Sequence, residues 1–199
     1  MNETAPIAIR DLLENGAGGD VAIGAPGRPP LTYDGLRRLV DRTGAALAAL
    51  GVAPGDRVAI VLPNGPAMAS CFLAVAAYAT AAPLNPAYRE DEFDFYISDL
   101  RARILVVPQG MDTPARAVAA RHEVPVVELL EDEGGPAGDF TLDLGGKAPG
   151  TARRASPSDT ALVLHTSGTT SRPKIVPLAG SNLAASARHI ATTLQLSPA

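Results

Sequence analysis

One cysteine, Cys71, is all the chain contains, so it can build neither a disulfide framework nor a cysteine-held metal cluster. Flanked by Phe72, Leu73, Ala74 and Val75, that residue reads as a small buried hydrophobe, and the lack of disulfides suits a cytoplasmic setting. Basic charge is short as well. The 17 Lys and Arg side chains face 21 Asp and Glu, for a net charge of −4 and a pI near 5.3, and without a basic stripe nucleic acid is argued against as a partner. No apolar run is long enough for a bilayer. The stretch 67–82 carries no charged residue, yet it is alanine-rich, bracketed by Pro66 and Pro83, and short of the roughly twenty strongly apolar residues a membrane core requires. A buried helix is predicted there instead. Met1 to Asp11 has acids and no apolar centre flanked by basic residues, which does not read as a signal peptide.

What is present describes a soluble globular chain: 46% hydrophobic and 19% charged residues over 199 positions, enough for one or two small domains. Thr32 is placed to cap a helix whose apolar positions Leu36, Leu39, Val40, Leu47 and Leu50 keep helical spacing up to Gly51. Arg57 to Leu62 reads as a buried strand rich in β-branched residues. A helix follows from Glu90 to Leu100 on Phe93, Tyr96, Ile97 and Leu100, then a strand over 103–107, a short helix over 113–121 and a strand over 124–128. Helices alternating with apolar strands predict an α/β fold with a largely parallel sheet and flanking helices. Gly55, Asp56 and Asn64 are turn and cap residues.

From Glu131 to Pro157 the composition shifts to Gly, Pro, Asp and Ala, an exposed connector with one short extended piece at Phe140-Thr141-Leu142. The expected division is a first α/β lobe over 1–130, a connector over 131–158, and the start of a second lobe over 159–199. Ser181 or Asn182 caps a last helix to about Leu196 with Leu183, Ala187, Ile190 and Leu194 on one face. Of the three histidines, His122 and His189 read as surface or packing residues; His165, directly before the loop, has the best claim by position to a ligand contact, but the strand-end reading is favoured over it.

The second lobe opens with Leu162-Val163-Leu164-His165-Thr166-Ser167-Gly168-Thr169-Thr170-Ser171-Arg172-Pro173-Lys174. An apolar strand runs into small hydroxyl and glycine residues and ends on a lysine, which is how a phosphate-holding loop is written. It is not the Walker pattern, because Pro173 precedes the lysine and Ile175 follows it. The dinucleotide fingerprint of three spaced glycines is absent too. In so acidic a protein, an anion site has to rely on local donors and a divalent cation.

This string resembles the Thr-Ser-Gly-Thr-Thr-Gly-x-Pro-Lys-Gly loop of the adenylate-forming superfamily of acyl-CoA synthetases, luciferases and peptide-synthetase adenylation domains. Ser171 and Ile175 stand where most members carry Gly. The version here, with Val176-Pro177-Leu178, is most similar to the branch containing oxalate–CoA ligases, and the order of motifs from Thr32 to Pro86 resembles that superfamily's first lobe. The resemblance implies the N-terminal lobe of the adenylate-forming fold, incomplete here. It implies ATP, Mg²⁺ and coenzyme A as reactants, and a small carboxylic acid that becomes an acyl-adenylate and then a thioester. Thr166, Ser167, Gly168, Thr169, Thr170, Ser171 and Lys174 would hold the phosphates, with Lys174 in the catalytic role and no residue assigned to metal. Segments that relatives use for adenine, ribose, acyl group and lid have no counterpart, so the chain alone is expected to be inactive. It reads as a fragment, or alternatively as a truncated non-catalytic nucleotide-binding or interaction module, with a missing region or a partner covering the exposed lobe face.

Overall fold

A computed structural model describes residues 7–166 and 173–196. The chain begins with a short helix, α1 (Ile9–Leu12), and a 3-10 turn at Leu13–Asn15. A small antiparallel pair follows, β1 (Val21–Ile23) and β2 (Leu31–Thr32). Helix α2 (Tyr33–Ala49) starts where Thr32 stops being extended: the threonine hydroxyl accepts the Gly35 N–H at 3.2 Å, satisfying a donor that the first turn leaves unpaired. It ends at Gly51, whose φ of +76° is the left-handed conformation that glycine adopts without steric cost.

The remaining elements are β3 (Arg57–Ile60), α3 (Pro66–Ala76), β4 (Thr80–Pro83), α4 (Glu90–Leu100), β5 (Ile104–Pro108), α5 (Pro114–Arg121), β6 (Val126–Glu131), β7 (Phe140–Leu142), β8 (Thr160–His165), β9 (Ile175–Ala179) and α6 (Gly180–Thr193). Strands β3 to β9 form one seven-stranded sheet in the order β7-β6-β5-β3-β4-β8-β9. The inner pairs are parallel, and the two edges are antiparallel.

Side chains along each strand alternate between two cores. Val58, Ile60, Ile104 and Val106 pack under α2 and α3 with Leu39, Val40, Leu47 and Val75. Ala59, Val61, Leu105 and Val107 pack on the other side against Phe93, Ile97 and Leu100 of α4 and Val118 of α5. Burial on both faces is why these strands read as unbroken apolar runs. Cys71 lies inside the first core, and burial pushes its thiol up to about 12.

The path between strands sets where a site can form. From β3 the chain crosses by α3 on one face to β4, then returns by α4 on the opposite face to β5, beyond β3. The connections leaving β3 and β4 therefore diverge to opposite faces, and this point of reversal is where open α/β sheets hold ligands. Parallel to β4, β8 brings its own C-terminal end to the same rim.

Two expectations need correction. The alanine-rich stretch 67–82 is not one helix: α3 stops at Ala76, and Thr80–Pro83 is a strand in the middle of the sheet. Alanine carries no period, and the small Ala81 and Ala82 suit a strand hemmed in by cores on both faces. The connector is not wholly exposed, since Ala137, Phe140, Leu142 and Ala155 are buried and β7 extends the main sheet. On α6 the residues expected on one face are not equally placed: Leu183 packs partly buried against the first core, whereas Ile190 is 52% and Leu194 63% exposed, with Gly180 and Ala184 buried. Small residues allow that helix to lie close, and nothing among the described residues covers Ile190 and Leu194.

Candidate functional site

Strands β8 and β9 form an antiparallel hairpin with Leu162 opposite Leu178, Val163 opposite Pro177, Leu164 opposite Val176 and His165 opposite Ile175. Its start is tied down by the Thr80 hydroxyl, which donates to the Thr160 carbonyl at 2.6 Å. At its far end the Thr166 N–H donates to the Lys174 carbonyl at 3.0 Å, and the Lys174 N–H reaches the Thr166 hydroxyl oxygen at 3.4 Å. These two contacts close a neck. They bring together Thr166 and Lys174, the first and last of the predicted phosphate-holding residues. Ser167, Gly168, Thr169, Thr170 and Ser171 lie outside the described residues.

Lys174 is exposed, and among the described residues its ammonium has no carboxylate within ion-pair distance. The chain has one other lysine, Lys147. Two acids on α4 are engaged elsewhere: Arg121 bonds Glu90 at 2.5 Å and Asp94 at 3.2 Å, and His122 Nε2 lies 3.0 Å from Asp94. His122 and then Arg121 hold the Asp94 carboxyl below its usual range. The neck thus presents a cation whose counter-charge has to come from outside these residues, an arrangement suited to an anion.

At the C-terminal ends of β3 and β4 lies a cleft of about 400 Å³ lined by Leu62, Asn64, Met68, Pro83, Leu84, Asn85 and Pro86. The Asn85 side-chain oxygen accepts the Ala87 N–H at 3.0 Å, the turn role its composition predicts. Asp56 likewise accepts the Ala53 N–H at 2.8 Å, as expected of a turn residue. Among the described residues no cluster of three or more His, Cys, Asp or Glu is placed to hold a metal. A divalent cation in this region would have phosphate oxygens and water as its natural ligands.

His165 is more than a strand end. Its Nε2 lies 3.1 Å from Asp99 Oδ2 on α4, and its side chain is 6% exposed. The ring meets Tyr96 at 4.6 Å and Phe95 at 6.4 Å between centroids, both edge to face. Nothing local in the sequence announces this pair, because its members are 66 residues apart.

Comparison with known proteins places these features in context. The family model described as AMP-binding enzyme matches residues 15–198. A probable CoA ligase of Humulus lupulus is 40% identical over 187 residues, covering 88% of this chain and 34% of the relative. An oxalate–CoA ligase of Arabidopsis thaliana is 38% identical over 179 residues, covering 88% of this chain and 35% of the relative. The ATP-bound crystal structure of MatB from Rhodopseudomonas palustris superposes with a TM-score of 0.75 at 26% identity, over 93% of this chain and 37% of that one. The chain spans about a third of the length of the curated relatives it matches.

Proposed function

This chain belongs to the AMP-binding enzyme family, and from that premise we propose that it is the N-terminal part of an ATP-dependent acid–CoA ligase. A carboxylate oxygen attacks the α-phosphorus of ATP, the bond to the bridging oxygen breaks, and pyrophosphate leaves. The sulfur of coenzyme A then attacks the acyl carbon of the adenylate, and AMP departs as the thioester forms. Oxalate is the acid we favour, on the oxalate–CoA ligases of Arabidopsis thaliana and Saccharomyces cerevisiae among the relatives.

One observation carries the reading: a neck at the rim of a parallel sheet, closed by Thr166 and Lys174, with a lysine whose charge no described residue neutralises. The first half-reaction brings two anions together, so charge stabilisation is the main demand. In this reading Lys174 meets the outer phosphates, and Thr166, Ser167, Thr169, Thr170 and Ser171 supply N–H or hydroxyl donors. Gly168 lets the backbone come close. Each charge-assisted hydrogen bond is worth about 1.5–3 kcal/mol, so three or four would hold a triphosphate tail. Mg²⁺ would arrive with ATP and shield the charge that develops on pyrophosphate.

Titration of the 199-residue chain with MgATP tests the binding half. AMP release from oxalate, ATP and CoA tests turnover, and steady AMP production by this chain alone would refute its proposed dependence on further segments. A second reading, a non-catalytic interaction module, is favoured by the uncovered Ile190, Leu194 and Leu196 of the last helix and its end. Absence of MgATP binding with retained self-association or partner binding would support it.

The division at 131–158 is proposed as a connector between lobes. Trypsin should cut first at Lys147, Arg153 or Arg154. A first cut between Arg57 and Arg121 would count against it. No helix among the described residues is long and apolar enough to cross a membrane, and a cytoplasmic setting is part of the proposal.

A further inference from the structure

We propose that Asp99 and His165 are positioning residues: together they clamp the β8–β9 ribbon to α4 and so aim the neck at Thr166 and Lys174. The functional side of this inference rests on the phosphate-holding reading of that loop.

The argument begins with what does not hold the ribbon. Strand β8 pairs with β4 at a single register position, Ala81 opposite Leu162. β4 ends at Pro83, a residue that has no N–H to donate. Among the described residues, β8 therefore has no ladder partner on its inner side beyond Leu162, and β9, the edge strand, pairs with β8 alone. Both legs of the loop depend on a two-stranded ribbon, and such ribbons are marginally stable in water by themselves. Val163 is buried in the α4-side core and Ile175 packs against it, whereas Leu164, on the face away from α4, is 42% exposed and adds little at the loop end.

Among the described residues, His165 adds the one polar side-chain tie to α4 at the loop end, beyond the apolar packing of Val163 and Ile175. Its side chain points into α4, where Asp99 can only accept, so Nε2 carries the proton and donates it. Tyr96 packs against the imidazole, and Tyr88 stacks on Tyr96 at 4.9 Å. The ring is held in position and in tautomer. Because the next N–H in the chain, that of Thr166, bonds Lys174, an anchor at His165 fixes both sides of the neck.

The test uses the 199-residue chain with ¹⁵N-labelled histidine and amide hydrogen exchange. The expected result is an Nε2–H imidazole at His165, and in D99A an exchange rate at the Thr166 and Lys174 amides at least about tenfold faster. The Val61 and Leu84 amides of the inner sheet should stay unchanged. H165Q, which keeps a donor, should restore slow exchange that H165A loses. In parallel, D99A should weaken MgATP binding about tenfold, while R121A, which removes a surface ion pair from the same helix, leaves it as it was.

Unchanged exchange at Thr166 and Lys174 in D99A, or an Nδ1–H tautomer, overturns the proposal. If D99A does not fold, the H165A and H165Q pair decides by the same exchange readout. If the native chain does not bind MgATP, the phosphate reading fails, whereas the clamp is still judged by exchange.

Discussion

The inner strands and the β8–β9 ribbon are made of the same kind of apolar residues, yet the sheet treats them differently. Val58, Ile60, Leu105 and Val106 are sealed between helices on both faces. No residue of β9 is fully buried, and Leu164 on β8 is largely open. Inner strands gain from ladders on both sides and cores on both faces. The ribbon is joined by one ladder position, the Thr80–Thr160 hydrogen bond, the packing of Val163 and Ile175 against the α4 core and the His165–Asp99 contact. Local stability should follow, highest in the middle and lowest where the loop is carried, the usual place for segments that bind or move.

Substitutions can break or sharpen that contrast. The largest effect is expected for F93A, which empties a fully buried site between α4 and the sheet. About 3–5 kcal/mol should be lost, measured by denaturant unfolding. A loss below about 1 kcal/mol would mean that the α4 core is loosely packed. Next comes D41A. Arg10, almost wholly buried, bonds Asp41 at 2.9 and 3.1 Å and also contacts Glu14, while the Tyr78 hydroxyl donates to Asp41 at 2.7 Å. Removing one partner strands the guanidinium, for about 1–3 kcal/mol once the half-exposed side of the pair is allowed for.

The same pair predicts a pH dependence. Arg10 holds the Asp41 carboxyl below its usual range, so in acid the unfolded chain binds this proton more readily than the folded one. The contribution is complete above the ordinary carboxylate range and is lost as pH falls through the lower folded-state value. Thermal unfolding followed from about pH 5 downward should show declining stability, with a shallower decline in D41N. An equal slope in both would remove Asp41 as a source.

On the ribbon, the proposed phosphate role predicts that K174A, made in a full-length ligase carrying this chain, leaves folding intact and weakens use of ATP by about ten- to a hundredfold, the factor that 1.5–3 kcal/mol represents. Unchanged adenylation would discard the phosphate role of Lys174. The smallest effect belongs to I190S on α6, within about 0.5 kcal/mol in unfolding because the side chain is already in water. A large loss there would mean that something covers this face in solution.

Much of this chain was legible in advance, for identifiable reasons. The Thr32 cap, the Gly51 stop and the α4 span Glu90–Leu100 depend on partners within one turn, and such signals are printed locally. The neck residues Thr166 and Lys174 were legible through motif and resemblance. β4 was hidden because alanine fits helix and strand alike. On α6 periodicity grouped the apolar residues on one face, and it does not say whether anything lies against them: Leu183 meets the core, Ile190 and Leu194 do not.

Composition and local pattern alone established an α/β chain with no internal disulfide, and singled out a loop of the composition that the proposed phosphate role calls for. Strand order, the reversal at β3 and β4, the edge position of β9 and the Asp99–His165 contact came from the folded chain. The physical reason is range. Caps, turns and helical faces are settled by interactions across a few residues, whereas the inner ends of β8 and α4 meet only after the sheet has closed around them.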